Sequence, residues 1–146
     1  MIERIFDGSK ELAIIIRSSY RKDEGIEFLT SGTYSQQLGY MNRPSGYVIP
    51  PHVHNFVTRE VQFTQEVLFI RSGSIRVDFY TDKQKYLEST ILKAGDIILL
   101  AFGGHGFEML ENAEIIEVKQ GPYAVEEDKT RFEGVQSDRL IIKNDY

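Results

Sequence analysis

Two of the three histidines in the chain, His52 and His54, are separated by a single residue. On an extended strand, residues two positions apart project to the same side, so this spacing places the two imidazoles close together. Two neutral ring nitrogens in that arrangement can bind one ion at about 2.0–2.2 Å. Taken alone, the pair indicates either a metal site or two polar side chains on the solvent face of a strand.

The third histidine, His105, lies among Gly103, Gly104 and Gly106. Residues this small let the backbone pass close to a neighbouring strand or a ligand. Glu66 begins a strand-like run and adds a carboxylate. Three imidazoles and one carboxylate suit Fe, Mn, Ni, Co, Cu or Zn, and such a set commonly leaves coordination positions open. The sequence thus predicts one divalent transition metal and leaves its identity open.

Short β-like runs separated by turn residues recur along the chain, a pattern typical of a sandwich or barrel. The predicted strands cover residues 12–17, 25–30, 34–41, 47–49, 66–71, 75–80, 86–92, 96–100, 106–110 and 114–119. Residues 124–135 contain the one plausible short helix, which we expect to end at Gly134. We therefore expect one antiparallel all-β domain, residues 1–146, with a short helical C-terminal tail over 124–146.

Alternation along the strands predicts which side chains face the core. We expect residues 66–71 and 75–80 to form a hairpin, with Ile75, Val77 and Phe79 on one face of its second arm. Phe107 and Met109 share the face of His105 and should wall the metal site with apolar surface.

The same alternation rule predicts which side chains of the strand 114–119 face the core. Its apolar residues Ile116 and Val118 are expected to face the core, which places Glu117 and Lys119 on the exterior. Gln120 follows the apolar face and is the better candidate to line a pocket.

Composition bounds the function. The chain has 146 residues, a formal net charge of −5 and no cysteine. The acidic balance disfavours nucleic acid and anionic membranes as partners, and the lack of cysteine excludes disulfides and thiolate metal sites. Neither a signal peptide nor an apolar run of membrane-spanning length is apparent. We expect a cytoplasmic protein that covers exposed sheet edges by forming a homodimer.

Two motifs resemble those of the cupins, small β-barrels that carry a metal in the barrel mouth. The first runs from Gly46 through five residues to His52-Val53-His54, and from Glu66 through six residues to Gly73. The second runs from Gly95 to His105, with Ala101 in place of the motif's proline and one residue fewer before the histidine. The resemblance covers about residues 35–120.

The resemblance implies a cupin-type antiparallel β-barrel, also called a jelly roll or double-stranded β-helix. It implies His52, His54, Glu66 and His105 as the metal ligands. In cupins the second histidine and the glutamate are closer together, so Glu60 is a rival to Glu66; we prefer Glu66 because its distance to Gly73 fits. The extra residues 55–65 are expected to lie over the barrel mouth and contact substrate.

The resemblance also implies a range of functions, because cupins include oxygenases, isomerases, storage proteins and sensors. We expect a metal-dependent enzyme, a dioxygenase or isomerase, that acts on a small polar metabolite such as a sugar or small acid, by analogy in polysaccharide metabolism. Glu60, Arg59 and Tyr47 are the candidates to position substrate. The alternative is a non-catalytic cupin that binds a metal or carbohydrate for a structural or sensory purpose.

Overall fold

The computed structural model describes residues 1–143, in which the chain forms ten β-strands. They are β1 (Ile2–Asp7), β2 (Lys10–Ile16), β3 (Gly25–Phe28), β4 (Gly39–Asn42), β5 (Glu66–Ser72), β6 (Ser74–Tyr80), β7 (Tyr86–Lys93), β8 (Ile97–Leu100), β9 (Gly104–Met109) and β10 (Glu114–Lys119). The helical content of this part of the chain consists of two 3-10 turns, Val125–Asp128 and Ser137–Arg139. None of its helices could cross a membrane.

The strands form three antiparallel sheets. The large sheet has the strand order β1-β2-β8-β5-β10, and the small sheet has the order β7-β6-β9. Strands β3 and β4 pair only with each other among the described residues, and we call them the outer hairpin. Within residues 1–143 none of the three sheets closes on itself. The prediction of an antiparallel all-β protein is confirmed.

The main core lies between the large and small sheets. From the small sheet, Ile75, Val77 and Phe79 of β6 are fully buried, which confirms the face predicted from their alternation. From the large sheet, Ile15 and Ile98 pack into the same cluster. Burial of apolar side chains from both sheets is what holds the sandwich together.

The large sheet is also covered on its outer face. Ile14 and Ile16 of β2 are buried there with Leu99, and Leu29 and Tyr34 from the loops around the outer hairpin pack against them. Both faces of β2 are therefore apolar, which explains why its sequence is a continuous run of isoleucines and not an alternating one.

The predicted hairpin between residues 66–71 and 75–80 is wrong. Strand β5 belongs to the large sheet and β6 to the small sheet, so the chain crosses between sheets at Gly73. Gly73 has a φ of 74°, and a Cβ atom there would lie 2.2 Å from the carbonyl oxygen of Asn112. The turn residues signal a reversal correctly, but they do not distinguish a hairpin from a crossing.

Other elements differ from the sequence predictions. Residues 47–49 are not in a strand, the predicted helix over 124–135 is reduced to a 3-10 turn, and β1 was not predicted. Residues 132–143 instead lie along the small sheet. There the backbone N–H of Lys143 donates a hydrogen bond to the carbonyl oxygen of Ser89 in β7, at a distance of 2.9 Å. The last three residues of the predicted tail lie outside the described part of the chain.

A buried ion pair joins the strands. The guanidinium of Arg17 lies 2.9 Å from a carboxylate oxygen of Asp96, and both side chains are almost fully buried. Asp96 also accepts hydrogen bonds from the backbone N–H groups of Ser18 and Lys93, and Arg17 donates to Thr90. These bonds tie the end of β2 to the turn between β7 and β8.

Substituting Asp96→Ala should therefore lower the free energy of unfolding by about 2–3 kcal/mol. The change leaves Glu3 as the remaining carboxylate contact of the buried Arg17 guanidinium, and it removes the acceptor of the backbone N–H groups of Ser18 and Lys93. The control is Asp82→Ala, which removes an exposed ion pair with Lys10 and should cost no more than about 1 kcal/mol. Urea denaturation measures both values. Equal costs for the two variants would contradict the role given to the buried pair.

Candidate metal centre

Two of the predicted ligands, Glu66 and His105, meet at one end of the sandwich. Glu66 is the first residue of β5 in the large sheet, and His105 lies on β9 in the small sheet, opposite the core residue Phe79. Directly opposed residues of antiparallel strands share a face, so His105 points between the sheets. Its Nε2 atom is 3.2 Å from Oε2 of Glu66.

The local electrostatics favour the ionised form of Glu66. Its side chain is only 8% exposed, whereas that of His105 is 27% exposed. The hydrogen bond with His105 lowers the pKa of Glu66, and this effect outweighs the opposing effect of burial. Lys129 and Lys119 lower the same pKa through smaller Coulombic effects. At neutral pH Glu66 is thus a buried carboxylate, the form that binds metal ions.

Close backbone packing positions His105. Gly103 has a φ of 76°, and a Cβ atom there would lie 2.6 Å from the carbonyl oxygen of Tyr80. At Gly104 a Cβ atom would come within 3.2 Å of the Tyr80 side chain. The prediction that small residues let the backbone approach a neighbouring strand here is confirmed.

Strands β9 and β10 leave one side of the sandwich open. Both are edge strands, and they are joined by a short connection that packs against the crossing at Gly73. Phe107 and Met109 share the inward face of His105, as predicted, because they pair with the core residues Val77 and Ile75. They are nevertheless 39% and 50% exposed. We call this uncovered inner face the open side.

The orientation predicted for β10 is wrong. Glu117 and Lys119 pair with Leu68 and Glu66 on the inward face of β5, so they face the open side. Ile116 and Val118 lie on the opposite face and are each about half exposed. The rule that the apolar face is the core fails because β10 is an edge strand beside an uncovered part of the sandwich.

The other two predicted ligands lie on a long connection between β4 and β5. Residues 43–65, which we call the arm, contain no strand, and most of their side chains are exposed. The rings of His52 and His54 are adjacent within it, with centroids 5.3 Å apart and nearly perpendicular planes. Nδ1 of His52 is 3.0 Å from the carbonyl oxygen of Pro50.

The structure thus contains the four predicted ligands as two separate pairs. Glu66 and His105 are in contact on the body of the protein, and His52 and His54 are neighbours on the arm. Within residues 1–143 no group of three or more histidine, aspartate or glutamate side chains is placed to hold a metal ion.

The candidate substrate residues also lie on the arm. Tyr47 stacks under the guanidinium of Arg43 at 4.4 Å. Glu60 lines an open groove of about 300 Å³ whose other polar lining residues are Thr33, Ser35, Gln62 and Gln65. Arg59 is exposed. Of the two rival carboxylates, Glu66 is the one that contacts an imidazole.

Sequence reasoning missed Glu117, Lys119 and the two polar groove residues Thr33 and Ser35. The adjacent isoleucines at 115 and 116 make the alternation of β10 ambiguous, and pairing with Glu66 is a feature of the tertiary structure. Lys119 lowers the pKa of Glu66 through a Coulombic effect, but the register that brings the two residues together is not visible in the sequence.

Comparison with known proteins gives no match, whether with protein-family models, with curated proteins or with solved structures.

The pKa shift of Glu66 predicts how stability depends on pH in the metal-free protein. The pKa is lowered in the folded state, so the ionised carboxylate contributes stability above its unfolded pKa, about 4.3. That contribution is lost as the pH falls through the folded-state pKa. The stability difference between the wild type and Glu66→Gln, measured by denaturation in a chelator, should shrink as the pH falls from 6 to about 3.

The matched control for this experiment is Glu60→Gln, on the exposed arm, which should follow the wild type across the same range. A wild-type advantage over Glu66→Gln that stays constant down to pH 3 would show that the carboxylate is not stabilised in its charged form.

The packing at Gly103 gives a second prediction. Gly103→Ala should destabilise the protein more than Gly46→Ala, because both glycines have a positive φ but only Gly103 faces a backbone oxygen at close range. A Cβ atom at Gly46 would meet nothing within 4 Å. Thermal unfolding measures the difference, and similar melting temperatures for the two variants would argue against the close contact.

Proposed function

We propose that the protein is a metal-binding cupin and that Glu66 and His105 form the fixed half of its metal site. The observation that carries this proposal is the 3.2 Å contact between their donor atoms. Two ligands that each lie about 2.0–2.2 Å from one ion, at angles between octahedral and tetrahedral values, are about 2.8–3.6 Å apart. The pair has the spacing that neighbouring ligands of one ion require.

The geometry of the two histidines on the arm also supports the proposal. With the Nδ1 proton of His52 donated to Pro50, Nε2 is left as the free acceptor nitrogen. Metal-binding histidines commonly donate their second ring N–H to a backbone carbonyl in this way. His54 lies beside it and provides a second imidazole. The donor set of three imidazoles and a carboxylate fits Fe, Mn, Ni, Co, Cu or Zn.

The path of the chain supports a jelly roll, the fold that the proposal requires. From β5 to β10 the chain passes repeatedly between the two sheets: β5, β8 and β10 lie in the large sheet and β6, β7 and β9 in the small one. Two facing antiparallel sheets connected in this manner are typical of jelly rolls.

For its activity we propose a metal-dependent enzyme that acts on a small polar metabolite, a sugar or small acid, as an oxygenase or isomerase. When bound, the metal supplies Lewis-acid or O₂ chemistry. Glu60, with the hydroxyl and amide groups along its groove, offers hydrogen bonds to a polyhydroxylated ligand, and Arg59 offers positive charge. Tyr47 contributes an aromatic face on which a sugar ring can pack.

Non-catalytic binding of a metal or carbohydrate is the second candidate. The exposure of Arg59, Glu60 and Tyr47 favours it, because catalytic groups are normally held rigidly by their surroundings. Oxygen uptake in the presence of a panel of sugars and small acids separates the oxygenase from this candidate, and product analysis without oxygen separates the isomerase.

Metal analysis of the purified protein tests the binding proposal. Replacing both His52 and His54 with alanine should remove most of the bound metal, and so should Glu66→Ala, because each change removes ligands of the same ion. Glu60→Ala is the matched control and should retain the metal. Unchanged metal content in the double histidine variant would overturn the proposed site, and loss of metal in Glu60→Ala alone would transfer the carboxylate role to Glu60.

A further inference from the structure

The arm exposes far more apolar surface than a loop normally does. Phe56 is 96% exposed and Val53 is 86% exposed. Six further large apolar residues on the arm are also exposed, namely Tyr47, Val48, Ile49, Val57, Val61 and Phe63. A stretch of this length without secondary structure is usually functional, and an exposed apolar patch of this size usually marks an interaction site.

The body of the protein also exposes an apolar surface, which lies beside the free edge of β9. Strand β9 pairs with β6 along one side, and among the described residues no strand pairs with its other side. Its unpaired backbone groups can accept an additional strand. Phe107 and Met109, which face the open side next to that edge, lack cover.

The side chains of the arm suit this position. In an extended conformation Val48, His52, His54 and Phe56 all project to one side. If that side faced inward beside β9 with His54 level with His105, the two imidazoles would join His105 and Phe56 would lie beside Phe107.

We propose that the arm of one chain adds as a strand to the free edge of β9 in a second copy, and that the second copy returns the same contact. Each open side is then closed by the partner's arm. Where the metal is concerned, this inference rests on the proposed function: His52 and His54 of one chain complete the site that begins with Glu66 and His105 of the other.

The structure favours addition of the arm to β9 of a second copy over its addition to β9 of its own chain. Both ends of the arm are attached to the chain's own body: at one end by β4, and at the other by Phe63, which packs on Phe102, and Gln65, whose carbonyl oxygen accepts a hydrogen bond from the backbone N–H of Gln120. Between these attachments Val53 and Phe56 are nevertheless almost fully exposed, so their apolar side chains are not buried against the chain's own body.

The surface area that the exchange of arms would bury is also large enough for a stable dimer. Exposed aromatic and aliphatic side chains of this number would remove on the order of 800 Å² per chain from water, the size of a standard interface. In the reciprocal arrangement the contact between the arm and β9 occurs twice, as a dimer with two-fold symmetry requires.

Cross-linking between two different single-cysteine variants tests the exchange of arms. The chain has no cysteine of its own, so Val53→Cys on the arm and Glu108→Cys on the outward face of β9 provide unique thiols. After the two variants are mixed and allowed to exchange subunits, a short bismaleimide should join them into a covalent dimer. The control pairs Val53→Cys with Phe6→Cys on β1, at the far edge of the large sheet, and should not cross-link.

Two results would overturn the proposal: a dimer in which the arm and β9 do not cross-link, or a monomer of 16.8 kDa in which the doubly substituted chain cross-links internally. If the cysteine variants do not fold, the mass of Phe56→Asp in solution serves instead. It should be monomeric while the wild type and the control Phe6→Asp are dimeric; a dimeric Phe56→Asp would count against the arm.

Metal binding in mixed dimers then tests the shared site separately. One chain carries His52→Ala with His54→Ala, the other Glu66→Ala with His105→Ala, and each alone should bind no metal. After unfolding and refolding together, random pairing gives one intact site in half of the dimers, about a quarter of the wild-type metal content per chain. Cross-linking with no recovery of metal in the mixture, although the wild type binds it, would place the site within one chain. Cross-linking with no metal even in the wild type would refute the proposed function and leave the exchange of arms standing.

Discussion

The contact between Glu66 and His105 is the interaction on which the rest of the site depends. A carboxylate buried to this degree is costly unless a partner stabilises its charge, and the imidazole of His105 is that partner. The contact connects the two sheets at one end of the sandwich. Gly103, two residues before His105, lets the backbone that enters β9 pass close to Tyr80 at the end of β6.

The proposed ligands are divided between the strands of the sandwich and the arm. Strands β5 and β9 are fixed by the core, whereas His52 and His54 lie on an arm whose apolar side chains face water. Apolar side chains on the arm and beside β9 are both exposed to water, which is unfavourable for each surface. In the proposed exchange of arms the two surfaces would cover each other, and the same contact would bring together the donor set that the histidine spacing predicts.

Much of the strand content was predictable from the sequence, because the alternation along β6 and the isoleucine run of β2 reflect burial directly. The pairing of strands was not: the turn at Gly73 has the composition of a hairpin, and only the pairing of β5 and β6 with different neighbours shows that it joins two sheets. The face of β10 was misjudged because an edge strand beside an open side need not bury its apolar residues. The contact of Glu66 with His105 agrees with the motif spacing, whereas the position of the arm could not be read from residue types, since an apolar run at 47–49 also suits a buried strand.

The most direct test of the central claim is a crystal structure of the protein grown with Mn²⁺ or Co²⁺, with anomalous diffraction recorded at the absorption edge of the metal. A single anomalous peak is expected about 2.0–2.2 Å from Nε2 of His105 and from a carboxylate oxygen of Glu66, with the imidazoles of His52 and His54 completing the coordination. A peak held by other residues, with Glu66 and His105 still bonded to each other alone, would contradict the account.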